Sequence, residues 1–312
     1  MNSVPREFYD SVAACLSLST LRSLQKVAHR WPSLIQTHIT KRADLKFCLK
    51  PAPVAGQWNY AYGPAAATHV EYFGLEALKQ MDLRYIRFTS IHFYGQDASG
   101  GVDWSGPATT ENVLQQVHFV LCHLSPGEKS ICMKCRECLP FLEKILLSKH
   151  MFSIISLSHF GPVCEDFLRH SLTSHAPSDI HLEGDWPQST QADLERYILL
   201  SNYFRFRLNT QQSGISFDFR FFDSLFEKES SSHSNVTLFV KCQMSFCEKH
   251  FESYRRELQL TSDQHQYLWY VNGRKIFAVC RQDVFGDSLV IRVMPAGFQA
   301  FGLWAKELHS AL

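Results

Sequence analysis

The chain has 312 residues, 45% of them hydrophobic and 20% charged, the balance of an ordinary globular protein and not of a disordered one. Thirty-one Lys and Arg stand against 30 Asp and Glu, a net charge of +1, which excludes the strong global field of a dedicated nucleic-acid binder. The 24 Phe give ample material for a large core. The amino terminus, Met1-Asn2-Ser3-Val4-Pro5, has no basic segment leading into an apolar one, and nowhere do about 18 apolar residues run together. An intracellular protein, cytoplasmic or nuclear, with reduced cysteines and no membrane span is expected. Cys48, Cys122, Cys242 and Cys280 lie in apolar runs, where a thiol packs as a small hydrophobe.

In chain order, the first elements are three short helices. Pro5 opens a stretch with Phe8, Val12, Ala13 and Leu16 at helical spacing. Ser19 or Thr20 can cap a second helix carrying Leu21, Leu24 and Val27, and Trp31-Pro32 ends it. A third starts at Ser33-Leu34-Ile35. From Arg6 to Lys46 there are seven basic and three acidic residues, a local excess suited to an acidic partner surface.

This order of residues resembles the F-box, the helical motif that docks on the Skp-type adaptor of cullin-RING ubiquitin ligases. The matching positions are Val4-Pro5, Phe8, Val12, Leu16, Leu21, Leu24, Val27, Trp31 and Leu34. Val4 stands where the family usually has Leu, and Ala28-His29 where it has Cys or Ser and a basic residue. The chain is similar in layout to the divergent F-box families of nematodes. The resemblance implies that these ten positions form the adaptor-binding surface. A plain helical cap on the following domain is the alternative.

Residues 51–69, rich in Pro, Ala, Gly and Tyr, read as a connecting segment. A helical stretch followed by a short apolar run then recurs. Tyr72–Met81 leads to Tyr85–Phe88, and Thr109–Gln115 to Val117–Leu121. Leu139–Lys149 leads to Phe152–Leu157, Pro162–Leu172 to Asp179–Glu183, and Thr190–Ser201 to Phe204–Leu208. Phe217–Glu229 leads to Val236–Val240. From Ile155 the later strand centres His181, Arg205 and Leu238 follow at intervals of 26, 24 and 33 residues. Strands separated by single helices need parallel crossovers, and at such a period they stack as an open solenoid. Ser245–Leu258 reads as a last helix. Tyr267–Val271 and Lys275–Val279 flank Asn272-Gly273, a hairpin turn, with Leu289–Val293 as a third strand.

The expected fold class is therefore α/β: a three-helix motif, then an irregular, leucine-rich-repeat-like parallel sheet, then a small β-meander. The boundaries are 1–46 for the F-box-like motif, 47–69 for the connector and 70–312 for the repeat domain, with the meander at about 265–296. A doubly wound sheet is the alternative, although no Gly-rich phosphate loop follows any strand.

Candidate chemistry is sparse. Cys132, Cys135 and Cys138 form a Cys-x-x-Cys-x-x-Cys run with Cys122 and His123 upstream, but three clustered thiols leave a zinc site without a defined fourth ligand. His118 and His181 fall within predicted strands, and His150 and His170 near helix ends, all structural positions. Asp97 and Asp103 bracket a Gly-rich loop at Ser99-Gly100-Gly101. No catalytic, metal or cofactor assignment follows. The expected function is that of a non-catalytic substrate-recognition subunit in a cullin-RING ligase. It would bind a Skp-type adaptor, with its cullin, through the N-terminal helices, and an unidentified protein substrate through the repeats. Neither nucleic acid nor membrane is expected as a partner. Phe204, Phe206, Trp269 and Tyr270 are the candidate substrate anchors. A small-molecule α/β enzyme and a stand-alone interaction protein are the competing classes.

Overall fold

A computed structural model describes residues 5–27, 32–65, 72–97, 104–174, 177–201, 203–209, 214–218, 220–221, 224–225, 235–241, 257–261, 264–271, 274–283 and 286–295. Beyond Leu225 the description is of the backbone alone. The chain is α/β and divides into two compact units, 1–177 and 178–312. Among the described residues no helix is long and apolar enough to cross a membrane.

The first unit begins with α1 (Arg6–Ala14), α2 (Leu18–Val27) and α3 (Pro32–Lys41). Ser17, rather than Ser19 or Thr20, caps α2: its Oγ accepts a hydrogen bond from the Thr20 amide at 3.1 Å. A sheet follows, with β1 (Ala43–Pro51), β2 (Gln57–Pro64), β3 (Ile86–Phe93), β4 (Ala108–Thr109), β5 (Ser130–Met133) and β6 (Ile154–Ser158) in the order β6-β5-β3-β1-β2-β4. Strands β6, β5, β3 and β1 run parallel, whereas β2 is antiparallel to both β1 and β4, so the sheet is mixed and not purely parallel.

Three expectations change here. The presumed connector 47–69 supplies β2 and most of β1, and β1 starts inside the presumed 1–46 motif. The prolines that suggested a linker stand at strand ends, Pro51 and Pro64, and at Pro53 in the intervening turn, where no ladder hydrogen bond is lost. Val117–Leu121 is helical, within α5 (Thr110–Cys122), and His118 with it. Val113, Val117, Val120 and Leu121 are its buried side chains, a helical period that overrides the local preference of β-branched residues for strands. Between Tyr72 and Met81 only α4 (Leu75–Lys79) is helical.

The remaining helices of this unit are α6 (Leu139–Leu147) and α7 (Pro162–Thr173). Helices α5 and α6 cover one sheet face. Tyr62 donates to Gln116 at 2.8 Å, Trp58 to Thr110 at 3.0 Å, and the Trp58 and Phe141 rings meet edge to face at 4.8 Å. Gly161 enters α7 at φ +119°, a backbone region open in practice to glycine alone. An added Cβ there would touch nothing within 4 Å, so Gly161→Ala should cost about 1–3 kcal/mol from backbone strain and not from collision. A chemical-denaturation midpoint equal to wild type would contradict this.

The second unit has β7 (Asp179–Glu183), α8 (Gln191–Leu200), β8 (Tyr203–Asn209), β9 (Asn235–Lys241), β10 (Glu257–Thr261), β11 (Gln264–Val271), β12 (Arg274–Asp283) and β13 (Gly286–Pro295). Strands β7, β8 and β9 are parallel; β9-β13-β12-β11-β10 continue antiparallel. The meander thus has four strands, and Glu257 and Leu258, assigned above to a last helix, begin β10. The rest of that presumed helix and the turn Asn272-Gly273 lie outside the described residues. Trp186 is fully buried and donates its indole N–H to the Glu183 carbonyl at 3.0 Å. Gln191, at the start of α8, exchanges two hydrogen bonds with the Ser216 backbone at 2.8 and 3.1 Å, anchoring the segment whose Ile215 and Phe217 are buried.

Candidate functional site

The apolar residues of the three helices fall into two sets. Ala13, Leu21, Leu34 and Ile35 form a closed core, with Tyr9, Leu16, Leu24 and Ile39 packed against it. Leu21 is wholly buried and Leu34 nearly so, which corrects their assignment as direct adaptor contacts: they hold the helices together. Pro5 and Phe8 face outward, Phe8 with 56% of its surface exposed, and Val12 is half-buried. Val4 and Trp31 lie outside the described residues, as does the side chain of Val27.

The helices are fastened to the sheet by polar groups. Arg42, its side chain 4% exposed, donates to Asp44 at 2.9 Å, to the Leu16 carbonyl, and to Ser125 at 3.3 Å. Arg87, on β3, donates to the Ala14 carbonyl at 2.9 Å. His38 sits 2.8 Å from an Asp10 carboxylate oxygen and meets the Tyr85 ring edge to face at 5.0 Å. The arginines thus give charged donors to the Ala14 carbonyl, at the end of α1, and to the Leu16 carbonyl, in the link to α2.

Of the substrate anchors, Phe206 is completely buried, its ring against Phe217 at 6.2 Å. It belongs to the core, and its place as a surface anchor is withdrawn. On β8 the side chains alternate, so Phe206 and Leu208 go inward while Arg205 is exposed and Arg207 half-buried. Arg205 lies 3.6 Å from Asp179, and His181 3.4 Å from Glu183, so the described side chains on the outward face of β7 and β8 are polar and charged. The side chains of Phe204, Trp269 and Tyr270 lie outside the described residues.

A polar row that the sequence did not single out crosses the first unit. On β1, Asp44, Lys46, Cys48 and Lys50 alternate with inward Leu45, Phe47 and Leu49. In the strand register Cys48 lies beside His92, His92 beside Cys132, and Cys132 beside Ser156. Aromatics lie over this face. Lys46 stands 4.9 Å from the Tyr72 ring, Lys50 4.7 Å from Trp104, and the Tyr94 hydroxyl is 3.2 Å from His92 Nδ1. The period-2 alternation was the signal that would have found it.

Burial sets the chemistry of this row. It raises the Cys48 thiol to about 12 and, helped by the Lys46 charge, lowers His92 to about 4. Both groups are neutral near pH 7, the opposite of a thiolate–imidazolium pair, so Cys48 and His92 are not an activated couple. Because His92 takes up a proton more readily when unfolded, stability is full above about pH 6.5 and falls as the pH drops toward 4. The loss reaches about 3 kcal/mol at most. His92→Asn should lose less stability than wild type between about pH 7 and pH 4.5; parallel losses would remove His92 as the cause.

Cys132 lies on β5, and Cys135 and Cys138 in the turn that leads into α6. Among the described residues no group of three or more His, Cys, Asp or Glu is arranged to hold a metal ion. Of the Gly-rich loop, Ser99, Gly100, Gly101 and Asp103 lie outside the described residues, and Asp97 is exposed. Compared with protein-family models, curated proteins and solved structures, the chain matches none.

Proposed function

We propose that the protein is the substrate-recognition subunit of a cullin-RING ubiquitin ligase, binding a Skp-type adaptor through α1–α3. The observation that carries the reading is Phe8: a large apolar side chain, 56% exposed beside exposed Pro5, on a helix whose Tyr9 and Ala13 are taken up by a core. An aromatic so placed suits an interface anchor. The local basic excess of the segment suits an acidic partner. The ligase chemistry belongs to a bound conjugating enzyme, and this chain supplies proximity, raising the effective concentration of a substrate lysine near the thioester. Substrate would bind the outward strand face, which in the second unit offers Asp179, His181, Glu183, Arg205 and Arg207. Quantitative binding of purified full-length protein to a Skp-type adaptor tests the proposal. No binding at micromolar concentrations by folded protein would sink it.

Arg42 and Arg87 favour a second reading, in which the helices are an integral cap on the sheet. That reading requires no adaptor and gives Phe8 no energetic role in binding one.

A further inference from the structure

We infer that Cys135 and Cys138 form a dithiol that hydrogen peroxide closes to a disulfide at the entrance to helix α6, whether or not the protein serves a ubiquitin ligase. The geometry is already that of a bridge in waiting. The Cys138 amide donates to the Cys135 carbonyl at 3.3 Å, closing a turn over Arg136-Glu137. Such a turn brings its end Cα atoms within about 7 Å, overlapping the roughly 4.4–6.8 Å that disulfides span. The Cys135 thiol donates to a Glu137 carboxylate oxygen at 3.0 Å, inside the same turn. Cys138 is the N-cap of α6 and is fully buried, and Cys135 is 3% exposed.

The surroundings separate the roles of the two sulfurs. The adjacent Cys138 side chain lowers Cys135 below an ordinary thiol, whereas the Cys135 side chain, burial and nearby negative charge hold Cys138 far above one. Cys135, the less buried of the two, is therefore the attacking thiolate, and fully buried Cys138 the resolving thiol. In the first step the Cys135 thiolate attacks peroxide: an S–O bond forms, the O–O bond breaks, and hydroxide leaves. Sulfur is oxidised to the sulfenic acid as peroxide is reduced. In the second step the Cys138 sulfur attacks the sulfenic sulfur: the S–S bond forms, the S–O bond breaks, and hydroxide departs with the Cys138 proton as water. Two thiols and one peroxide give one disulfide and two waters. Glu137 restrains the first step, because its carboxylate accepts from the neutral thiol and its charge opposes the thiolate.

The test exposes folded, full-length protein to hydrogen peroxide, alkylates the remaining thiols and maps peptides by mass spectrometry. The expected product is a Cys135–Cys138 bridge that dithiothreitol reverses. It should form about tenfold faster than exposed Cys15 or Cys122 is oxidised, those two reporting oxidant access. Cys138→Ser should halt the reaction at a Cys135 sulfenic acid that a 1,3-dione reagent captures. Glu137→Gln, at an exposed position whose replacement leaves the core intact, should speed closure at fixed pH. The inference is overturned if Cys135 and Cys138 stay reduced while Cys122 is oxidised, if Cys135 pairs with another cysteine, or if Glu137→Gln slows closure.

Discussion

Alanine at Phe8 should weaken binding of the full-length protein to a Skp-type adaptor by roughly thirtyfold, about 2 kcal/mol, with no loss of thermal stability. The side chain is 56% exposed, so its truncation removes little buried contact from the free protein. Leu21→Ala should do the reverse. Leu21 has no exposed surface and sits at the centre of the helical cluster, so a cavity there should cost about 2–5 kcal/mol of folding stability. Any effect of Leu21→Ala on adaptor binding would then follow its loss of stability. The pair separates the two readings of the helices. If Phe8→Ala binds the adaptor as wild type does, the outward face of α1 is not the docking surface and the cap reading gains.

Arg42→Ala should destabilise the first unit. It would leave the Asp44 carboxylate and the Leu16 carbonyl without their donor, in a setting where the guanidinium is 4% exposed. Losing charge-assisted hydrogen bonds costs about 1.5–3 kcal/mol here, because the Asp44 carboxylate left behind is 30% exposed and partly rehydrated. The loss should concentrate where the helices meet the sheet. Hydrogen exchange of the α1 and α2 amides should accelerate by more than that of the β3 and β5 amides. Uniform acceleration, or none, would show that Arg42 does not fasten the helices. Deleting residues 1–45 is a poor substitute for this variant, because the cut removes Ala43–Leu45 from β1, a strand with neighbours on both sides.

Elements whose signal is local were legible. The run Asp179–Glu183 is β7 with the same limits, and Leu139 and Pro162 begin α6 and α7 as their spacing indicates. The hairpin strands around Asn272-Gly273 are paired antiparallel as the turn chemistry implies. Elements that depend on distant partners were not. The stretch 43–64 carries proline and glycine between its strands, and only the pairing of β1 with β3, some forty residues away, makes it the middle of a sheet. Val117–Leu121 has strand composition, but four buried positions on a single helical face outweigh it once α5 lies on β2.

The candidate surfaces divide in the same way. The sequence determined that an apolar helical segment precedes an α/β chain of alternating strands and helices. It also determined that Phe8, Leu21 and Leu34 are each part of the apolar spacing of a short helix, because periodicity is a property of the chain alone. Only the tertiary structure decided that Leu21 and Leu34 close inward while Phe8 stays out, and that Phe206 is core and Arg205 surface. Nor could the sequence align Cys48, His92 and Cys132, which stand forty or more residues apart, into one row. Burial and strand register arise from contacts between segments remote in the chain, and no local pattern encodes which of two apolar faces water will reach.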